Sequence, residues 1–378
     1  MTILRTNTIA GIGTNGPVFD GDLEFNSQNY VILPKGTTDN RIGLTSTSGA
    51  LRYNTDSNKV ELYDGSQWTE VQSSRPDLNG GARGIFGGGY AAPLQKSKID
   101  YINISSTGDA IDFGDLTNPT QTLYGASSNT RAVFAGGYVG PTTVNVMEFV
   151  TISSTGTITN FGERIYKTAN NSGGCSNQTR GIFNGGQLHP FTPVNTIDYI
   201  TIASTGTSVS FGILTAQSTN QASCASPVRG VFAGGYAPGT PHNDQLIEFV
   251  TISTLGNSQS FGNLTASQNI RMGGCSNSTR GLFGGGQPRS NTAIDLITIA
   301  SLGNAIDFGD LTLDRVFLTA TSSPTRAVFA GGSPQGPYPG YDNIDYIAIS
   351  TQGNAVDFGN LAVARGRLKG LSNAHGGL

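Results

Sequence analysis

The chain has 378 residues, enough for more than one domain, with a formal net charge of −3 and only 12% charged side chains. Such a balance offers no positive field for nucleic acid or an anionic membrane surface, and no apolar run reaches the length of a membrane span. The opening stretch MTILRTNTIAGIGTNG lacks the long apolar core of a secretory signal.

Residues 1–77 form the first predicted domain, a small β-rich module. VFDGDLEF, NYVIL, ALRYN, KVELYDG and WTEV read as short strands, and Asp56-Ser57-Asn58 and Asp64-Gly65-Ser66 as turns between them. A segment this short with a single tryptophan, Trp68, has a thin core. It gains stability from a partner surface or from self-association, for example as a trimer, which suits an anchor.

Residues 78–378 are the second predicted domain and are organised by a repeat. RGIFGGGY, RAVFAGGY, RGIFNGGQ, RGVFAGGY, RGLFGGGQ and RAVFAGGS begin at Arg83, Arg131, Arg180, Arg229, Arg280 and Arg326. Their spacings of 48, 49, 49, 51 and 46 residues indicate one supersecondary unit made six times and stacked so that neighbours bury each other. In the second unit, residues 120–129 give a first strand, RAVFAGG a second, VMEFVTIS a third and TITNF a fourth, with a glycine hairpin at Thr155-Gly156. The remaining units follow the same plan, and no segment carries a helical period. The expected fold is therefore an all-β, six-bladed propeller of four-stranded blades. The final stretch RGRLKGLSNAHGGL aligns with residues 269–282 at Arg, Gly, Ser and Asn positions, so residues 365–374 are expected to supply the missing first strand of the Arg83 blade and leave no open edge.

The strand ending in Gly-Gly, the aromatic third strand and the closing aromatic at Phe113, Phe161, Phe211, Phe261, Phe308 and Phe358 resemble kelch-repeat propellers, whose units usually close on Trp. The resemblance covers residues 83–374; it implies a fold and not a function, because propellers host many roles. The stretch GALRYNTDSNKVELYDGSQWTEV is similar to a module of bacteriophage tail-fibre and other virion proteins, through Gly49, Arg52, Tyr53, Asn54, Thr55, Glu61, Tyr63, Asp64, Gly65 and Trp68. The repeat phrase with IDYI and FGDLT also resembles repeats in structural proteins of marine cyanobacterial phages. The implied setting is a virion, at a tail or capsid surface, with residues 1–77 contacting other virion proteins. Release within a particle needs no signal peptide.

Strand order puts the first-to-second and third-to-fourth connections on one face, where sequences are uniform. The second-to-third connections emerge on the other face and differ in length, from YAAPLQKSK to SPQGPYPGYDN. Unequal loops on a rigid scaffold are where recognition resides. The candidate binding residues are Tyr90, Tyr138, His189, Phe191, Tyr236, His242, Tyr338 and Tyr341, a stacking and hydrogen-bonding set suited to a host-surface glycan or protein. Capping of the blades is the plainer reading of the same side chains. Entry of the chain at Arg83 is expected to turn this face away from the anchor.

The six repeat arginines are expected to bond carbonyls or hydroxyls at blade junctions; a cationic ring around an anion is the alternative. The acids Asp100, Glu148, Asp198, Glu248, Asp295 and Asp345 are expected to accept N–H bonds from the Gly-Gly loops, with a carboxylate ring holding a cation as the alternative. Cys175, Cys224 and Cys275 precede their arginines by five residues, where other units carry Ala126, Thr321 or Leu371, and read as buried free thiols. With His189, His242 and His375 as the only histidines, no SxDxGxxW box and no phosphate loop, catalysis, cofactors and metals are not expected. Host attachment by a tail-fibre-type adhesin is the leading functional expectation. A head-decoration or tail-assembly protein without a receptor, and a glycan-active enzyme, are the others.

Overall fold

The computed structural model describes residues 33–41, 48–57, 59–71, 82–156, 158–169, 173–190, 192–236, 244–266, 270–287, 292–334 and 339–378. Its elements are strands, with one 3-10 turn at Asp39–Arg41 and no α-helix among the described residues. The chain divides into two compact units, Met1–Arg75 and Pro76–Leu378.

In the first unit, Leu51–Asn54, Lys59–Tyr63 and Trp68–Glu70 form an antiparallel meander, and Lys35–Gly36 adds a parallel edge to Leu51–Asn54. The strands expected in ALRYN, KVELYDG and WTEV are present, while VFDGDLEF and most of NYVIL lie outside the described residues. The small core is partly polar. Glu61 is fully buried and accepts bonds from Arg41 and from Asn54 Nδ2 at 2.7 Å, with the Arg52 guanidinium 3.8 Å away. Burial pushes the Glu61 carboxyl up, but its bonds to Arg41 and Asn54 and the charges of Arg41 and Arg52 outweigh this and hold it below its ordinary value. Trp68 packs against Tyr63 at 5.3 Å and lies under Arg52.

The second unit contains six four-stranded antiparallel sheets with one strand order, a propeller-like all-β arrangement. In the Arg131 sheet the strands are Tyr124–Ser127, Arg131–Val139, Thr142–Thr151 and Thr159–Glu163. In the Arg83 sheet the first strand comes from the far end of the sequence. Lys369–Ser372 pairs antiparallel with Arg83–Gly87, matching Lys369 to Gly87 and Ser372 to Gly84. Lys98–Asn103 and Ile111–Asp115 complete that sheet.

Each conserved-looking letter of the repeat phrase has a contact to explain it. The second-strand phenylalanines, such as Phe86, Phe134 and Phe232, are at most 1% exposed and fill the space between adjacent sheets. The residue after the Phe is Gly or Ala in five of the six units, and at two glycines the next sheet's Phe lies against it: a Cβ on Gly87 would come within 2.5 Å of the Phe134 ring, and one on Gly284 within 2.8 Å of Phe329. The paired glycines reach across the same junction. Gly88, at φ +65°, donates to Lys98 O in its own sheet, and Gly89, at φ +116°, donates to Thr120 O at the entry to the next sheet, at 2.8 Å. Gly186 to Ser218 O, Gly286 to Arg315 O and Gly332 to Arg365 O repeat this bond.

The hairpin glycines bind the outer rim. Gly156 N donates to Phe113 O, Gly206 N to Phe161 O, and so on through Gly353 N to Phe308 O. The same bond links Gly108 N to Phe358 O, between the first and last repeats, at 2.8 Å.

Candidate functional site

The six repeat arginines sit at one end of these junctions. Arg131 Nη1 donates to Ile202 O and Ala203 O, Arg180 to Ile252 O and Ser253 O, Arg229 to Ile299 O and Ala300 O, and Arg280 to Ile349 O and Ser350 O. Arg83 reaches Ile152 O and Arg326 reaches Ile104 O. In each case the acceptor is the end of the neighbouring sheet's third strand. Five of the guanidiniums also lie 4.6–5.0 Å over an aromatic ring of their own sheet, Tyr101, Phe149, Tyr199, Phe249 or Tyr346. These arginines are tied into the framework by carbonyl bonds at the junctions.

The recurrent acids have different partners from those expected. The Gly-Gly N–H groups bond backbone carbonyls, and the acids accept instead from the preceding sheet's exit segment. Thr215 donates both N–H and Oγ1 to Glu248, Thr265 does the same to Asp295, and Thr312 to Asp345; Thr117 N donates to Glu148. Three acids take a buried arginine from that same segment: Arg365 with Asp100, Arg164 with Asp198 and Arg315 with Asp345, at 2.7–2.8 Å. The carboxylates thus sit at the inter-sheet seam, where a threonine turn and a guanidinium from the neighbour can reach them. Where no arginine is supplied, as at Asp295, burial pushes the carboxyl up.

The three cysteines are free and buried, also at the seams. A Cβ on Gly230 would lie 2.7 Å from Cys175 Sγ, and one on Gly281 the same distance from Cys224 Sγ. Burial pushes the Cys175 thiol up to about 12 and raises the other two as well.

Those candidate binding residues that are described lie at the opposite end from the repeat arginines. Backbone pairing seats three of the tyrosines beside the next sheet's entry: Tyr90 on Gly366, Tyr138 on Gln121 and Tyr236 on Thr219. Tyr90 and Tyr138 are half-buried there, whereas Tyr236 is 49% exposed. His189 occupies the exposed tip of a miniature hairpin, Gln187–Leu188 with Thr192–Pro193, which Thr168–Ala169 extends to three strands. Tyr341 donates its N–H to Gly332 O and accepts from Arg365 N. Phe191, His242 and Tyr338 lie outside the described residues.

Tyr138 and His189 line one recess of about 260 Å³, together with Gln121, Gln187 and Arg367. Tyr236 and Tyr341 are not part of it. The residues that sequence reading missed come from the entry segments. Thr122, Asn220, Arg271, Phe317 and Arg367 all adopt φ between +57° and +66°, uncommon for side chains other than glycine. Their backbones link sheet to sheet: Arg271 N donates to Asn220 O, Phe317 N to Arg271 O, Arg367 N to Phe317 O and Thr122 N to Arg367 O. Arg271 and Arg367 each stand 4.4 Å from the Phe317 ring, and Arg367 is 5.9 Å from Tyr90. The only sequence signal for this feature was the polar and bulky variation just before each first strand, at TQT, TNQ, NIR and RGR.

The recess offers an aromatic face, an imidazole, two amides and a guanidinium within one concavity, a set able to hold a polar ligand with stacking surface. No family model matches the chain, and no curated protein matches it.

Proposed function

We propose that the chain is a bacteriophage virion protein of the tail-fibre or adhesin type. In this reading the six sheets are the blades of a closed six-bladed, kelch-like propeller whose unequal loops recognise a host-surface glycan or protein without catalysis, and residues 1–77 dock to other virion proteins. The observation that carries the recognition role is the recess shared by Tyr138, His189, Gln121, Gln187 and Arg367 on the face of unequal loops. The junction bonds that lock the sheets to one another support it, because a binding surface on a rigid frame loses little entropy when it engages a ligand. The resemblances to phage proteins supply the virion setting.

Binding of the labelled full chain to host bacterial cells tests this. Saturable binding that drops at least tenfold in a Tyr138→Ala, His189→Ala variant with unchanged melting is the expected result. Incorporation of the chain into particles, with no binding to host cells, would instead favour a head-decoration or tail-assembly role.

A further inference from the structure

The first strands of the six sheets are edge strands, each paired on one side only. Their other edges adjoin one another around a narrow axial cavity of about 50 Å³ near Ser127, Ser276 and Ser372. Glycine at 125, 174, 274 and 370 lets these strands come close; a Cβ on Gly174 would lie 2.4 Å from Gly125 O. Neighbouring hydroxyls take several of the outward N–H groups of these edges: Ser127 N donates to Ser176 Oγ, Ala225 N to Ser276 Oγ and Gly370 N to Thr319 Oγ1, at 2.7–3.1 Å.

The serine hydroxyls of the cavity are committed, whereas the buried Thr321 Oγ1 in its wall has no partner. Ser127 Oγ donates to Ser372 O, Ser176 to Ser127 O, Ser276 to Ala225 O, Ser322 to Ser276 O and Ser372 to Ser322 O, at 2.6–2.8 Å. His375 crosses this end of the cavity with Nε2 2.9 Å from Ser127 O, and Gly376 N donates to Ser276 O.

One cavity side chain breaks the pattern. Lys369 stands where other sheets carry Tyr124, Ala222, Gly273 or Thr319. Its Cγ and Cε pass 2.9 and 3.0 Å from the place a Gly125 Cβ would occupy, so the stem runs along the cavity wall. Among the described residues no protein acceptor bonds its Nζ, and no carboxylate lines the cavity. Cys175 is the ionisable group that bears on it, and that thiol is neutral. Lys369 is half-buried, and an ammonium held in a narrow cavity without acceptor or counter-charge is disfavoured. Burial draws the Lys369 pKa down to about 8, which still leaves it mostly protonated at neutral pH.

We propose that Lys369 makes the axial cavity a binding site for one small inorganic anion of halide size. The ammonium supplies the charge, and the narrow glycine-lined walls limit the size of what can sit beside it. The cavity has room for a halide and a water or two and is too small for a sugar ring, since a single water needs roughly 10–15 Å³.

Bromide is the probe. Crystals of the full chain grown with sodium bromide should show an anomalous peak beside Lys369 Nζ. Melting in bromide, compared with gluconate at equal ionic strength, should rise by about 2 °C for each tenfold increase above the bromide Kd. Lys369→Met should abolish the rise and Lys369→Arg should keep it. An axial cavity holding only water in the anomalous map overturns the proposal, and so does a bromide response that Lys369→Met leaves unchanged. If Lys369→Met does not fold, the map of the unaltered chain decides.

Discussion

Gly230 and Cys175 lie on neighbouring sheets and should behave as a single packing unit. A methyl group on Gly230 would sit 2.7 Å from Cys175 Sγ, with Val250 Cγ2 next at 3.5 Å and Ile252 Cγ1 at 3.7 Å. One atom therefore causes the whole clash, and Gly230 has no positive φ that would add backbone strain. Gly230→Ala alone should cost about 1–3 kcal/mol, the usual range for overpacking a filled seam. Cys175→Ala alone removes one buried sulfur and should cost on the order of 1 kcal/mol. In the double variant the new methyl occupies the space the sulfur vacates, so the combined cost should fall short of the sum by about 1–2 kcal/mol. For a unit of this size, roughly 1.5 °C of melting temperature corresponds to 1 kcal/mol. Calorimetry of the four proteins completes the cycle. Additive costs, or a Gly230→Ala variant within half a degree of the parent, would refute the account of Gly230 and Cys175 as one packing unit.

The seam ion pairs should respond asymmetrically: Asp345→Ala, which strands the fully buried Arg315, should cost about 3–5 kcal/mol in urea denaturation, well above the cost of removing a surface acid. The thiols should label slowly in the folded protein and completely in denaturant, read by mass; rapid native labelling of Cys175 would contradict its raised pKa. Burial lowers His375 from its usual value near 6.5 to about 4, so the unfolded chain binds the extra proton first as pH falls. The stability contributed by residues 373–378 should then be full above about pH 6.5 and decline between there and pH 4, and His375→Gln should flatten that part of the melting-versus-pH curve.

Strand positions were legible because the repeat presents them six times. The Arg-x-x-Phe-x-Gly-Gly phrase, the alternating third strand and the hairpin glycines each reappear as paired strands, and Lys369–Ser372 joins Arg83–Gly87 as the alignment of residues 365–374 with 269–282 predicted. The seam chemistry was less legible. An acid recurs at this place in every unit, but the arginine partners of Asp100, Asp198 and Asp345 do not share one place. Arg315 and Arg365 stand seven residues after their closing Phe, while Arg164 stands three after Phe161 and reaches the same kind of site by a different path. A periodic reading does not register a partner that changes position. The recess was half visible for a similar reason. Tyr138 and His189 stood out in unequal loops, but Gln121 and Arg367 belong to the segment before a first strand, and only backbone pairing brings them to that face.

The pairing of Lys369–Ser372 with Arg83–Gly87 also sets a schedule for biosynthesis. The second strand of the first sheet leaves the ribosome about 280 residues before the strand that will cover it. At roughly 5–20 residues per second, that edge waits on the order of 15–60 s. During this interval later sheets can each complete four strands from contiguous sequence, while the earliest one stays a three-stranded template open to any extended chain nearby. The nascent protein is thus most vulnerable to mispairing with its own siblings on one polysome, and that hazard ends only when residue 372 is clear of the exit tunnel.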